Sequence, residues 1–210
     1  MIKLNDHRDS VIPKLLNKIE AKVGVEIGVF KGQFSKVLMQ EWNGTLYMID
    51  PWRPLGEEYT DSSNHKDHLD AYEQATNSIK GFEDRAFMLR GLSEQMVKLF
   101  ANNSLDFVYI DGNHAYDFVK QDMEMWWPKL KKGGLFCGHD YLDLDWKADD
   151  SIENGKDAHI WTNSGGDPAI DPYKYAGIFG VNPAVEEFCK KKKYEYAVTS
   201  EWTGTWHFIK

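Results

Sequence analysis

The chain has 210 residues, 42% of them hydrophobic and 14% aromatic, with a formal charge of −8. That size suits one folded unit over residues 1–210 with a substantial core, and the composition excludes a disordered or fibrous chain. The negative balance argues against a protein that grips a phosphate backbone, so no nucleic-acid partner is expected.

In chain order, residues 1–20 lack the apolar core of a secretory leader, and Val11 to Glu20 read as a short amphipathic N-terminal helix. Lys22 to Ile27 follow as a strand. Phe34, Val37, Leu38 and Trp42 keep helical spacing over Gln33 to Trp42. Asn43-Gly44 then turns the chain into the strand Thr45 to Ile49, which closes at Asp50-Pro51. A polar loop from Arg53 to about Asn64 leads to a helix over roughly 65–80. His65 and His68 sit one turn apart on it, a spacing that can bind metal; without nearby partners they read as an exposed face.

Ala86 to Leu89 form the third strand, and Ser93 can cap a helix from Glu94 to Ala101. Leu105 to Ile110 form the fourth strand, closed by Asp111-Gly112. The next helix, about 115–130, is expected to stop at Lys131-Lys-Gly-Gly134, a cation-then-glycine signal. Leu135 to Cys137 make a fifth strand that ends at Gly138-His-Asp140. A polar, acidic insert over 142–176 reads as a lid, with disorder as the alternative. The helix Asn182 to Lys193 carries the one basic run, Lys190 to Lys193, at its dipole-complementing end. Tyr194–Thr199 and Thr205–Ile209 are too close for a parallel crossover, so they form an antiparallel hairpin. Cys137 and Cys189 provide neither a disulfide framework nor a CxxC pair, and no stretch nears the roughly 20 apolar residues that span a bilayer; a reducing, cytoplasmic setting is expected.

Strands alternating with helices imply an α/β fold, a mostly parallel seven-stranded sheet with helices on both faces. Ligands bind such sheets at the carboxyl ends of the strands. Four ends carry more than packing residues: Glu26 with Gly28, Asp50, Asp111 and His139-Asp140. A single acid there would be an ordinary turn residue; four point to a site. The first loop reads E-x-G-x-x-x-G rather than the G-x-G-x-x-G of a dinucleotide site, which suits a ligand bringing positive charge. Asp50 is placed to accept hydrogen bonds from ribose hydroxyls.

With these features the sequence resembles the class I S-adenosylmethionine-dependent methyltransferases, which have a Rossmann-like fold. The matching segments are Val25-Glu-Ile-Gly-Val-Phe-Lys-Gly32, Leu46-Tyr-Met-Ile-Asp50, Asp106 to Tyr116 and Leu130 to Asp140. The D-G-x-H-x-Y and G-H-D runs look most like a small-molecule O-methyltransferase-like subgroup. The resemblance implies S-adenosylmethionine as cofactor, bordered by Glu26, Gly28, Phe30 and Gly32, with Asp50 on the ribose and Asp111 beside it. Gly91 and Ser93 match positions that contact adenine in catechol-type enzymes; Ser93 as a plain cap is an equal alternative. Trp52 is either a wall over the adenine or a core tryptophan.

Methyl transfer needs an aligned acceptor and a way to remove its proton. His114 falls three residues after Asp111, where catechol-type enzymes carry their lysine, and an imidazole titrating at about 6.5 can serve as base. The alternative is a histidine that bonds backbone at a helix start. Asp111 and Asp140 are oxygen donors suited to Mg²⁺. Related metal-dependent enzymes continue with Asn or Asp where Tyr141 stands here, so His139 would be the third ligand and would shift the preference towards Mn²⁺ or Zn²⁺. The acceptor is expected to be a small molecule bearing a sugar, polyol or aromatic hydroxyl. The competing readings are a nicotinamide-dependent oxidoreductase and a non-catalytic adenosyl-binding module.

Overall fold

Apolar residues run almost continuously along the central strands, so each strand buries side chains on both faces of the sheet. A computed structural model describes residues 1–55, 68–141, 180–201 and 203–210. Its elements are β1 (Ile2–Lys3), α1 (Arg8–Lys18), β2 (Val23–Ile27), α2 (Gln33–Glu41), β3 (Thr45–Asp50), α3 (His68–Ser78), β4 (Ala86–Arg90) and α4 (Ser93–Met96). There follow β5 (Leu105–Ile110), α5 (Tyr116–Trp126), β6 (Leu130–Tyr141), α6 (Val181–Lys192), β7 (Ala197–Val198) and β8 (Gly204–Ile209). The expected insert over 142–176, His65 and most of the Arg53–Asn64 loop lie outside the described residues.

The strands form one sheet in the order β1-β7-β8-β6-β5-β2-β3-β4. β8 runs antiparallel to β6 and β7, and every other neighbouring pair is parallel. This is the expected α/β architecture with one strand added. β1 pairs with β7 through only Ile2 and Lys3, too short a run to show a period of two in the sequence.

On one face, Leu46, Met48, Phe107, Tyr109 and Cys137 pack against Ile12, Leu16, Phe34, Leu38 and Ala71 from α1, α2 and α3. On the other, Val25, Ile27, Val108 and Phe136 pack against Met123, Trp126, Val185 and Phe188 from α5 and α6. Large side chains such as Trp42, Trp126 and Phe136 are fully buried, each adding about 1.5–3 kcal/mol or more by transfer from water. Cys137 and Cys189 are buried and free on opposite faces.

Three local expectations are corrected. α5 ends at Trp126 because Pro128 follows within a single 3₁₀ turn, and Lys131 to Gly134 belong to β6 instead of capping a helix. Gly133 and Gly134 there exchange backbone hydrogen bonds with Lys210. α4 has Leu92, not Ser93, as its N-cap and passes into a 3₁₀ turn at Val97–Leu99. α1 starts at Arg8, ahead of the apolar periodicity, because the His7 Nδ1 atom accepts the Asp9 amide at 3.2 Å.

Gly28 sets the tightest of the inter-strand approaches. It has φ +83°, and a Cβ there would stand 1.8 Å from the Asp111 carbonyl oxygen. Gly28→Ala is expected to cost about 3 kcal/mol or more, read as a fall in melting temperature on the order of 10 °C. An unchanged melting temperature would show that the turn relaxes without strain.

Candidate active site

β2 lies between β3 and β5, and from it the chain builds outward first to one side and then to the other. The register sets Ile27 beside both Ile49 and Ile110, Asp50 beside Arg90, and Ile110 beside Gly138. The four polar strand ends therefore meet at one edge of the sheet, where strand order reverses. A cavity of about 350 Å³ opens there, lined by Glu26, Phe30, Asp50, Trp52, Asp111 and His114 among others. Phe30, Trp52 and Asp140 all hold positive φ at these ends, the backbone strain that accumulates at functional sites.

Glu26 is 1% exposed, and its Oε2 accepts from the Ser35 hydroxyl at 2.5 Å. Burial pushes its carboxyl up to about 8, with Asp111 and Asp50 adding to the rise and Ser35 and Arg8 opposing it. Asp50 takes the amides of Val29 and Phe30 on Oδ2, at 3.0 and 2.9 Å, and that of Trp52 on Oδ1 at 2.7 Å. The carboxylate thus ties the end of β3 to the loop after β2. Trp52 is a core residue as well as a wall: its Nε1 donates to the Phe30 carbonyl at 2.8 Å and its ring meets Tyr72 edge-on.

Gly28 and Gly91 line the cavity, whereas Gly32 does not. A Cβ on Gly32 would meet Ser78 Oγ at 2.3 Å, so this glycine admits α3 rather than a ligand. Ser93 lines the cavity, but its hydroxyl donates to Asp122 Oδ1 at 2.5 Å and accepts from Trp126 Nε1 at 2.8 Å.

At the other end, His114 Nε2 stands 2.8 Å from Asp140 Oδ2 and 3.4 Å from Asp111 Oδ1. His139 Nδ1 lies 3.4 Å from Asp140 Oδ1 and 3.7 Å from Asp111 Oδ1. Burial alone would raise the Asp140 carboxyl, but the His114 charge and hydrogen bonds from His114 and His139 hold it well below the ordinary range. One ligand atom each from Asp111, His139 and Asp140 lies within 4.8 Å of the others, a mixed oxygen and nitrogen set that suits a divalent cation. The sequence-expected metal and base residues are therefore brought together.

Two residues of the site were missed. Arg8 of α1 reaches across to donate to Tyr109 Oη at 2.9 Å and to Asp111 Oδ2 at 3.5 Å, and its guanidinium sits over the Phe34 ring. Nothing in its local sequence signals this, because the contact is purely tertiary. Asp122 is 6% exposed, and burial pushes its carboxyl up to about 7 against the Ser93 hydrogen bond. Here a signal existed: Asp122 interrupts the apolar stripe of Val119, Met123 and Trp126 on α5.

Glu26 makes folding depend on pH in a defined direction. Its ordinary value is 4.5 and its folded value about 8, so between these the folded chain holds a proton that the unfolded chain has released. Stability from this group is full below 4.5 and falls as pH rises through 8. Glu26→Gln should flatten the melting temperature across that window and stabilise the protein near pH 8 by on the order of 4 kcal/mol. Parallel wild-type and variant profiles would remove Glu26 as the titrating group.

Among the described residues no helix is long and apolar enough to cross a membrane. The sequence matches the profile of a family described as Methyltransferase domain over residues 25–141, more than half of the chain. An uncharacterized protein of Acanthamoeba polyphaga mimivirus is 28% identical over 135 residues, 58% of this chain and 52% of that relative. The chain thus spans about half the length of that relative. A proposed caffeoyl-CoA O-methyltransferase from Staphylococcus aureus superposes with a TM-score of 0.64 at 15% identity, covering 100% of this chain and 86% of that one. The O-methyltransferase TomG of Streptomyces achromogenes, solved with S-adenosylmethionine, gives 0.56 at 15% identity, with coverages of 96% and 79%. With its glycine loop, four strand ends and fifth strand all inside the matched region, the chain belongs to the methyltransferase-domain family, and it shares the fold of those two solved structures.

Proposed function

We propose that the chain is an S-adenosylmethionine-dependent methyltransferase that carries a methyl group to a hydroxyl oxygen of a small-molecule acceptor. One observation carries this reading: a single cavity joins the Glu26–Asp50 wall to the Asp111–His114 wall. A cationic ligand suits the cavity, because the acids Asp50 and Asp111 border it and a pyrophosphate would face both, while Glu26, proton-bearing near neutral pH, adds a polar lining without charge. That disfavours the nicotinamide alternative.

The cofactor supplies a methyl group already activated on a sulfonium. The chain's own residues must then bind, align and deprotonate. Asp50 holds the ribose: Oδ2 has both lone pairs engaged by amides, while Oδ1 receives one and keeps the other for a hydroxyl. At the acceptor end, His114 acts as the base that receives the hydroxyl proton. The imidazolium so formed lies 2.8 Å from Asp140 and 3.4 Å from Asp111, so both carboxylates stabilise it. Arg8 neutralises part of the Asp111 charge. Asp111, His139 and Asp140 would hold a divalent cation of the Mn²⁺ or Zn²⁺ kind, which would ease loss of the acceptor proton. The acceptor class this favours is a sugar, polyol or aromatic hydroxyl.

Asp50→Ala should weaken S-adenosylhomocysteine binding by roughly tenfold or more in calorimetry. His114→Ala should leave that binding within about twofold and cut turnover about 10²–10⁴-fold; methylation at the wild-type rate would dismiss the histidine as base. Mn²⁺ should raise the melting temperature of the wild type, EDTA should reverse the rise, and Asp140→Asn should abolish it. Indifference of the wild type to both reagents would end the metal assignment.

A further inference from the structure

Ser93 cannot serve a nucleobase as a donor while its proton is committed to Asp122. The hydrogen bonds run in one direction, from Trp126 Nε1 to Ser93 Oγ at 2.8 Å and from Ser93 Oγ to Asp122 Oδ1 at 2.5 Å. The chain ends on a carboxyl that is 6% exposed yet borders the cavity. Its other oxygen, Oδ2, meets no donor among the described residues and lies 3.8 Å from where a Cβ on Gly112 would stand. Asp122 lines the cavity, and this second oxygen remains to accept from a ligand there. Leu92 and Phe118 also line the cavity and give apolar surface suited to the faces of a planar ring.

We propose that Asp122 is the residue that reads the nucleobase, its Oδ2 accepting the exocyclic amino group of adenine so that the site takes a 6-aminopurine and rejects a 6-oxopurine. The assignment rests on the adenosyl reading above. It places the specificity in α5 rather than in Ser93 at the start of α4. A 6-oxo base would set a carbonyl oxygen against the carboxylate and leave both without a donor, a loss of the kind that gives strong discrimination.

The Trp126–Ser93 relay also fixes what Asp122→Asn would do. Ser93 still donates to the amide oxygen, so the amide nitrogen must take the Oδ2 position and face the cavity as a donor. An acceptor becomes a donor, and the preferred base inverts. Glu94 is the rival acid, since it borders the same cavity and its charge raises the Asp122 carboxyl.

The test is calorimetry with S-adenosylhomocysteine and its 6-oxo analogue, S-inosylhomocysteine, at about pH 8.5, above the value of about 7 to which burial pushes Asp122, where the carboxylate can only accept. The wild type should bind the adenosyl ligand about 10–100-fold more tightly. Asp122→Asn, isosteric and uncharged, should lose or reverse that ratio, and Glu94→Gln should keep it. Equal wild-type affinity for the two ligands overturns the assignment without any variant and leaves the adenosyl reading standing. An unchanged ratio in Asp122→Asn, or its loss in Glu94→Gln alone, also overturns the assignment. A wild type that binds neither ligand overturns the adenosyl reading and the assignment with it.

Discussion

The whole site depends on how the end of β2 is fastened to both neighbours at once. The Gly28 amide donates to the Ile49 carbonyl at 2.8 Å, and the Asp111 amide donates to the Ile27 carbonyl at 2.7 Å. Two backbone hydrogen bonds thus stop three strands at the same level. The close approach they require is sterically open only to glycine at position 28. Each acid that follows a strand then emerges at the same edge of the sheet without long side chains having to reach for it.

Crowding acids in this way creates an electrostatic problem that the molecule meets differently at each one. Glu26 is buried deeply enough to keep its proton near neutral pH. Asp50 is solvated by three backbone amides. Asp140 is held charged between two histidines, and Asp111 shares Arg8. Asp122 is fed by a hydroxyl whose own acceptor is filled by a tryptophan N–H. These devices grade the cavity from a proton-bearing end to a charged one, the kind of separation that lets neighbouring carboxyls take different roles.

What could be read from the sequence follows from the range of the forces involved. Strand ends and their acids were legible because short apolar runs give way to Asp50, to Asp111 and to Gly138-His-Asp140. The helix end at Trp126 was legible too, but the signal was Pro128 and not the more conspicuous Lys131-Lys-Gly-Gly run. Gly32 was read as a ligand-facing glycine although its empty side receives α3, a contact set by packing between helices far apart in sequence. Arg8 lay beyond local reasoning altogether, since its partners Tyr109 and Asp111 are about a hundred residues away. Asp122 carried a local clue, a charge on an apolar face, that becomes meaningful once Trp126 and Ser93 are seen to orient it.

The N-terminal residues have a consequence for how the protein assembles. Ile2 and Leu4 bond to Tyr196 and Val198, the Ser200 amide to Asp6, and the Arg8 amide to Glu201. Arg8 and Glu201 stand 193 residues apart, so on a growing chain these residues stay undocked until residues 196–201 have emerged. The α1 end that carries Arg8 to Asp111 is thus fastened late, after the sheet's centre can already exist, and this side of the cavity closes as a final step.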